Sequence, residues 1–388
     1  MILSEARILH ISKYYYPFRG GTEQVARDMV RALLGTGAEQ KVICFNEDAQ
    51  DGEIVTRHDE TVTDRVDGVE VIRCGYQVKM ASQSVSAGYG RELRRVMDSF
   101  QPNVVVLHYP NPYVTCFLMK YRKRDFKLLV YWHLDIVKQK LLRLFFAEQN
   151  RNLVRRADRL IATSENYIEG SPWLSSAKEK CIVIPNCINL ERLRITPEAE
   201  EKAAEIRETY KGKILCFAVG RHTEYKGYRY LIRAARLLDD RFRVVIAGCG
   251  EETESLKEEA GEDVRILFTG RLEDTDLMGF FKAMDIFCFP SVTKNEAFGV
   301  ALAEGMYYEK PAVTFTIPGS GVNYVCLNGK TGMEVPNRDV EAYADALRTL
   351  ASDRERREKM GKAARKRVEE NFLDTQFREN IRNLLTKL

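Results

Sequence analysis

The sequence predicts an α/β protein made of two doubly wound domains, each built around a mostly parallel sheet. Its 388 residues are long for a single hydrophobic core. Short apolar runs alternate with helix-like stretches through both halves, and continuous apolar runs are typical of parallel strands that are covered on both faces. In chain order these runs are Val42–Phe45, Val69–Ile72, Val104–Leu107, Leu128–Tyr131, Leu160–Thr163, Ile214–Phe217, Val244–Ala247, Ile266–Thr269, Ile286–Phe289 and Pro311–Thr314.

A polar, charge-rich stretch, Leu190–Gly212, separates the two halves. It follows the apolar run Cys181–Asn186 and precedes the first strand-like run of the second half. We therefore predict an N-terminal domain over 1–188 and a C-terminal domain over 189–373.

The composition is that of an ordinary soluble protein, with 45% apolar and 30% charged residues. No apolar run reaches the roughly 18 residues that a membrane-spanning helix needs. Residues 1–7 lead into a strand and do not resemble a signal peptide, so we expect a cytoplasmic protein. The nine cysteines include no C-x-x-C pair, which favours reduced packing residues over disulfides or structural zinc.

Basic residues are concentrated in the N-terminal half. Between Lys79 and Leu160 there are 16 basic and 6 acidic residues, a local net charge of +10. Within this region, Lys120–Lys127 and Lys138–Phe146 mix basic side chains with leucine and phenylalanine. Two interpretations stay open: a peripheral contact of 120–146 with the anionic inner face of the plasma membrane, or a solvated basic helix face. We expect no nucleic-acid partner, because no binding motif accompanies the charge.

Two carboxylates, Glu296 and Glu304, lie eight residues apart just after an apolar strand. At about 100° per residue, eight steps return to within about 80° of the same helix face, so one helix can present both acids. The N–H groups of Phe298 and Gly299 would then be unpaired at the start of that helix and available to an anion or a polar ligand.

Three further segments each follow a predicted strand. Arg221 and Lys226 lie in a strand-to-helix loop, which is where parallel sheets bind ligands. The pair Gly20-Gly21 follows the first strand and lets backbone approach a ligand closely.

The third segment, His133-Leu-Asp135, follows the strand-like run 127–132.

Together these segments resemble the retaining glycosyltransferase family 4, also called glycosyltransferase group 1, and the resemblance covers essentially the whole chain. Each motif alone is weak, whereas the ordered set is specific. The motifs are Gly20-Gly21, His133-x-Asp135, Gly220-Arg221 with Lys226-Gly227, Gly248-Cys-Gly250, Glu296-x7-Glu304, and Gly319–Val325 with Gly329–Gly332.

The resemblance implies the GT-B fold, in which two Rossmann-like domains face an interdomain cleft and a final helix, here 374–388, packs back on the first domain. It implies a nucleotide-sugar donor and a glycan or polyprenyl-linked acceptor. The implied catalytic residues are His133, Arg221, Lys226 and Glu296. Those implied to bind the donor are Gly20, Gly21, Asp135, Gly220, Phe298, Gly299 and Glu304.

Roles follow from the same resemblance. Arg221 and Lys226 would hold the diphosphate, Glu296 the sugar hydroxyls and Glu304 the ribose, while His133 would contact the sugar. The implied activity is a retaining transfer of a hexose from a UDP- or GDP-sugar in cell-surface polysaccharide synthesis, without a covalent intermediate. Two alternatives stay open: a noncatalytic sugar-nucleotide-binding subunit, and a sugar-nucleotide epimerase or hydrolase of the same architecture.

No cofactor or metal is expected. Asp274-Thr-Asp276 spells the D-x-D of metal-dependent transferases, but it precedes a helix, where aspartate is a common N-cap. The segment from Gly248 lacks the third glycine of a dinucleotide fingerprint, because position 253 is Thr253. One departure from the family concerns Asn323, which stands where many relatives have a glutamate.

Overall fold

The computed structural model describes residues 1–18, 20–50, 53–57, 59–80, 83–121, 125–136 and 140–388. The chain forms two compact units: Met1–Pro185 with Thr375–Leu388, and Asn186–Asp374. These limits lie within three residues of the domains that the sequence predicts.

The first unit is built on an eight-stranded sheet of order β12-β11-β10-β9-β1-β2-β6-β5, which is parallel except for β5, the antiparallel partner of β6. Two short antiparallel hairpins, β3–β4 and β7–β8, accompany it. The strands are β1 Arg7–Ile11, β2 Glu39–Phe45, β3 Glu47–Gln50, β4 Glu53–Arg57, β5 Val62–Val66, β6 Val69–Cys74, β7 Val78–Met80, β8 Gln83–Val85, β9 Val104–Tyr109, β10 Lys127–Trp132, β11 Arg159–Ala162 and β12 Cys181–Val183.

Helices connect these strands, as parallel neighbours require. They are α1 Gly21–Ala32, α2 Tyr89–Phe100, α3 Pro112–Lys120, α4 Lys140–Arg156 and α5 Glu165–Gly170, with short 3₁₀ turns at Leu3–Glu5 and Ser175–Lys180. Every residue of β9 is buried, as expected for a central strand covered on both faces.

The second unit is built on a six-stranded, wholly parallel sheet of order β15-β14-β13-β16-β17-β18. Its strands are β13 Ile214–Val219, β14 Phe242–Ala247, β15 Ile266–Gly270, β16 Ile286–Phe289, β17 Ala312–Phe315 and β18 Gly332–Val335. Its helices are α6 Pro197–Thr209, α7 Tyr228–Arg236, α8 Thr253–Ala260, α9 Asp274–Ala283, α10 Val300–Tyr307, α11 Val322–Val325, α12 Val340–Ser352 and α13 Arg354–Asn371, with a 3₁₀ turn at Glu224–Lys226.

The last helix, α14 (Asp374–Thr386), belongs to the first unit from Thr375 onward. Its apolar face buries Phe377, Ile381, Leu384 and Leu385. Arg382 Nε donates to the carbonyl oxygen of Ala32 at the end of α1, at 2.8 Å. Packing and hydrogen bonding thus attach the end of the chain to its beginning.

All ten predicted apolar runs fall on strands of the two sheets. The sequence did not predict β5, whose residues are mostly exposed, the short β18 or the two short hairpins. None of the helices in the described part of the chain is long and apolar enough to cross a membrane.

Shortening the buried Ile381 to alanine should destabilise the first unit by about 2–5 kcal/mol, because the cavity left under α14 is only partly refilled. Hydrogen–deuterium exchange should then show lost protection within 1–185 and unchanged protection within 186–374. The exposed Glu379→Ala on the same helix is the matched control. Lost protection confined to 186–374 would contradict the assignment of α14.

Candidate functional site

The carboxyl edge of the second sheet carries most of the predicted site residues. Strands β13 and β16 are neighbours, and the chain order reverses between them, because β14 and β15 lie on one side and β17 and β18 on the other. Loops that leave such a reversal point diverge and leave a ligand-binding crevice. The loop after β13 carries Arg221 and Lys226, and the loop after β16 carries Glu296.

Lys226 and Glu296 form a buried ion pair between these two loops. Lys226 Nζ lies 2.5 Å from Glu296 Oε2, and the two side chains are only 13% and 12% exposed. Ser291 donates to the same carboxylate oxygen at 3.1 Å. Burial is the largest single influence on the pKa of Lys226 and lowers it, but the charge and hydrogen bond of Glu296, together with the nearby Tyr225 and Tyr228, raise the pKa above its usual value. The ammonium is therefore charged and fixed in place.

Arg221 has the opposite character. Its side chain is exposed, and it makes no ion pair or hydrogen bond with the residues that the structure describes. The preceding Gly220 has φ +153°, and a Cβ there would lie 2.8 Å from Tyr228 Oη. The guanidinium can thus bind an anion without first breaking a contact.

His222, next to Arg221, is buried and joins this loop to the loop after β14. Its Nδ1 lies 3.0 Å from Thr253 Oγ1, and that hydroxyl also accepts the N–H of Gly250 at 2.9 Å. A Cβ on Gly250 would come within 2.5 Å of the His222 carbonyl oxygen. This contact joins segments about thirty residues apart, so the sequence alone does not indicate it.

Glu296 and Glu304 do not share a helix face, so that prediction is wrong. Helix α10 begins only at Val300, because Gly299 takes the left-handed φ of +95° at its N-cap. Glu296 lies in the loop before it, whereas Glu304 lies on the helix.

The loop around Glu296 is held by its neighbours. Ser320 donates to the Glu296 carbonyl oxygen, and the Gly321 N–H donates to the Ala297 carbonyl oxygen at 3.1 Å. The side chain of Phe298 is buried against Phe372. The N–H groups of Phe298 and Gly299 make no hydrogen bond within the described residues, as the sequence predicts.

Glu304 pairs with Arg192, a residue that the sequence analysis did not select. Arg192 Nη1 donates to Glu304 Oε1 at 2.9 Å, and Arg192 Nε donates to Asp274 Oδ1 at 3.2 Å. Burial raises the pKa of Glu304, and the charge of Arg192 opposes that rise. Arg192 lies in the polar connection between the domains, where no motif distinguishes it from its neighbours.

The N-cap interpretation of Asp274-Thr-Asp276 is wrong in detail. The N-cap of α9 is Glu273, without a side-chain cap bond, and both aspartates lie in the first helical turn. There Asp274 bonds Arg192, and Asp276 lies 3.5 Å from Lys202. Acidic side chains in a first turn complement the helix dipole. The described residues contain no cluster of His, Cys, Asp and Glu that could hold a metal.

Asn323, which stands where relatives often have a glutamate, has a role within the loop itself. Its Oδ1 accepts the N–H of Ile317 at 2.8 Å, and its Nδ2 donates to the Phe315 carbonyl oxygen at 3.1 Å. Both ends of the amide are therefore used in holding the segment after β17.

In the first unit, His133 and Asp135 follow β10 and are both 5% exposed. His133 Nε2 lies 3.1 Å from His108 Nδ1. Asp135 Oδ1 accepts bonds from Trp132 Nε1 and Ser171 Oγ, both at 2.9 Å. Asp135 thus fixes the segment that carries His133, and its contact with a donor stays a prediction.

Gly20 is the N-cap of α1 and Gly21 its first residue. A Cβ on Gly20 would meet the Glu23 side chain, whereas a Cβ on Gly21 would meet nothing within 4 Å. Neither glycine has a left-handed φ, so backbone conformation does not explain why glycine occurs at these positions. The missing side chain of Gly21 leaves open space at the start of the helix.

The basic region 120–146 is described only in part, because residues 122–124 and 137–139 lie outside the described residues. Within the described part, α3 and α4 line a groove of about 630 Å³. Its lining combines apolar and basic side chains, among them Met119, Lys120, Phe146 and Arg155.

Two doubly wound units of this kind place the chain among the α/β proteins with two Rossmann-like domains, and comparison with known proteins gives the family. Residues 19–192 match "Glycosyltransferase Family 4", and residues 199–367 match "Glycosyl transferases group 1". The chain belongs to glycosyltransferase family 4 (group 1) and has the GT-B fold.

Two relatives match over nearly their whole length. The chain is 28% identical to the O-antigen chain mannosyltransferase C of Escherichia coli, over 98% of both chains. It is 29% identical to the D-rhamnosyltransferase WbpZ of Pseudomonas aeruginosa, over 94% of this chain and 92% of that protein. Among solved structures, Anabaena HepE in complex with UDP and glucose superposes with a TM-score of 0.76 at 15% identity, over 99% of this chain and 100% of that one.

Replacing Arg192 with alanine should destabilise the second unit by about 1–3 kcal/mol, because Glu304 keeps its buried charge without a partner. The effect is smaller than for a fully buried pair, since Arg192 is 42% exposed. The folded-state pKa of Glu304, already raised, should rise further. When the pKa of Glu304 is higher in the folded state than in the unfolded state, the contribution of this carboxyl group to stability is fully present below the unfolded-state pKa. That contribution is lost as the pH rises through the folded-state pKa.

Urea unfolding at pH 5 and pH 8 checks this expectation. The loss in Arg192→Ala should be larger at pH 8, and the added substitution Glu304→Gln should remove the pH dependence. Arg241→Ala, which breaks an exposed ion pair, is the control. An equal loss at both pH values would show that the charge of Glu304 is not the cause.

Proposed function

We propose that this chain is a retaining, metal-independent glycosyltransferase that moves a hexose from a UDP- or GDP-sugar to a glycan or lipid-linked glycan in cell-surface polysaccharide synthesis. The names of its two full-length relatives, an O-antigen mannosyltransferase and a D-rhamnosyltransferase, support this class of product.

One observation carries the proposal: an exposed Arg221, without an ion pair among the described residues, and a buried, charge-compensated Lys226 lie on one loop at the reversal point of the second sheet. A nucleoside diphosphate leaving group gains negative charge as the glycosidic bond breaks. Fixed cations at that position stabilise the transition state more than the ground state. The guanidinium offers a planar fork to phosphate oxygens and the ammonium a point charge.

Carboxylates serve the hydroxyl-rich parts of the donor. An ionised carboxylate only accepts hydrogen bonds, so it suits hydroxyl donors and repels phosphate. We assign Glu296 to the sugar hydroxyls and Glu304 to the ribose, with the N–H groups of Phe298 and Gly299 beside them. We also assign His133 to a sugar hydroxyl. Gly21 leaves room for the approach of ligand to the start of α1.

The transfer proceeds on one face of the sugar, and the departing phosphate accepts the proton of the acceptor hydroxyl. The site then needs no carboxylate nucleophile, in agreement with the use of the Glu296 carboxylate to hold Lys226.

Basic and apolar side chains along α3 and α4 suit an acceptor carried by an anionic lipid. Sedimentation with phosphatidylglycerol vesicles, compared with phosphatidylcholine vesicles, tests that part.

Arg221→Ala should strongly weaken donor binding while leaving the free energy of unfolding nearly unchanged, because Arg221 has no ion pair within the described residues to lose. Thermal shift with UDP-, GDP-, dTDP- and ADP-sugars, without metal, measures this. A ligand that binds only the native state raises the melting temperature by mass action. One nucleotide series should stabilise the wild type, and transfer by the variant should fall about 10²- to 10³-fold.

The exposed Lys211→Ala is the matched control on the same unit. If no sugar nucleotide stabilises the wild type, the donor site is misassigned. Binding without turnover would favour a noncatalytic sugar-nucleotide-binding subunit, and turnover without any acceptor would favour an epimerase or hydrolase.

A further inference from the structure

Three buried histidines lie in a row on neighbouring strands of the first sheet. His10 lies on β1, His108 on β9, and His133 directly follows β10. In the register of the sheet His108 is opposite Tyr131, so the imidazoles lie on one face. Strands β1 and β9 also form the reversal point of this sheet, since β10 to β12 extend from one side and β2 from the other.

The rings of His108 and His133 are joined edge to edge. Their planes differ by 11°, their centroids are 5.3 Å apart, and the nitrogens that face each other are 3.1 Å apart. Two nearly coplanar imidazoles at this separation form a direct N–H···N hydrogen bond. Tyr131 stacks on His133 with centroids 4.5 Å apart, and the backbone N–H of His133 donates to the Tyr109 carbonyl oxygen at 3.0 Å. His133 is therefore held in position from three directions.

Both imidazoles are neutral. Burial lowers the pKa of His133 to about 3, and burial together with the neighbouring histidines lowers the pKa of His108 well below its usual value. A neutral imidazole has one N–H and one lone pair. One ring must therefore donate and the other accept.

The surroundings of His108 distinguish the two arrangements. Its other nitrogen, Nε2, is buried without a hydrogen-bond partner among the described residues. If His133 were the donor, His108 would carry its proton on Nε2 as an orphaned buried N–H, which is rarer in proteins than an unsatisfied acceptor. If His108 donates from Nδ1, the nitrogen that lacks a partner carries only a lone pair.

We propose that His108 is a positioning residue that donates from Nδ1 to His133 Nε2. His133 then carries its proton on Nδ1, which has no hydrogen-bond partner among the described residues. His133 then donates a hydrogen bond to a hydroxyl oxygen of the donor sugar and cannot serve as a proton acceptor. This inference rests on the proposed function for the identity of the ligand, but the tautomer itself does not depend on it.

Nitrogen NMR of protein labelled with ¹⁵N-histidine tests the tautomer in the ligand-free wild type. The chain has five histidines, so single substitutions can assign each signal. His133 should show a protonated Nδ1 and an unprotonated Nε2 at pH 7. A protonated Nε2 on His133, or a charged ring, would overturn the proposal, whether or not the variants below fold.

Binding measurements test the consequence. His108→Leu should weaken binding of the cognate nucleotide sugar about tenfold and leave binding of the corresponding nucleoside diphosphate unchanged. His108→Asn places an amide near the position of Nδ1 and should restore most of the affinity. An equal loss for both ligands, or no rescue by asparagine, would mean a general structural effect and would overturn the positioning role.

The two proposals fail in different ways. If the wild type binds no nucleotide sugar at all, the proposed function fails while the NMR result for His133 still stands. If the wild type binds the donor but His133 has the other tautomer, the inference about His108 alone is wrong.

Discussion

The buried ion pair between Lys226 and Glu296 is the constraint on which the second unit's site depends. It joins loops that leave two neighbouring strands, β13 and β16, which would otherwise be free to diverge. Removing either residue would destabilise the site, because the remaining charge would be buried without a partner and without water. The pair also keeps the ammonium charged and in place before any ligand arrives. Such preorganisation is what makes electrostatic stabilisation of a leaving group effective.

Close backbone packing gives the neighbouring Arg221 a rigid base. A Cβ on Gly248 would lie 2.0 Å from the Gly220 carbonyl oxygen, so the loops after β13 and β14 touch through their main chains. His222 and Thr253 reinforce this contact with hydrogen bonds. The exposed guanidinium therefore stands on a fixed loop, although its own side chain is free of ion pairs within the described residues. Lys226 is fixed through its side chain and Arg221 through its backbone.

How much of this structure could be predicted from the sequence depended on whether a feature leaves a local pattern of residues. Continuous apolar runs identified most strands of the two sheets, because burial on both faces imposes that pattern. The short β18 was missed, and its two central residues are only partly buried. Strand β5 is mostly exposed and carries no such pattern. The start of α10 was placed too early because a left-handed φ at Gly299 cannot be distinguished from an ordinary helical glycine in one sequence. Arg192 and His108 act through partners on other strands or helices, so only the folded chain identifies them.

The charges of the assigned residues suit the proposed reaction. In that proposal Arg221 and Lys226 supply cations where negative charge grows on the leaving phosphate. The first unit supplies a neutral imidazole, His133, whose protonation burial opposes. Positive charge develops on the sugar ring as its bond to the leaving group weakens, and an imidazolium beside the ring would raise the energy of that transition state. A neutral donor can hold a hydroxyl without this penalty. In the proposed function, the row of buried histidines would therefore offer an N–H to the sugar without adding positive charge beside it.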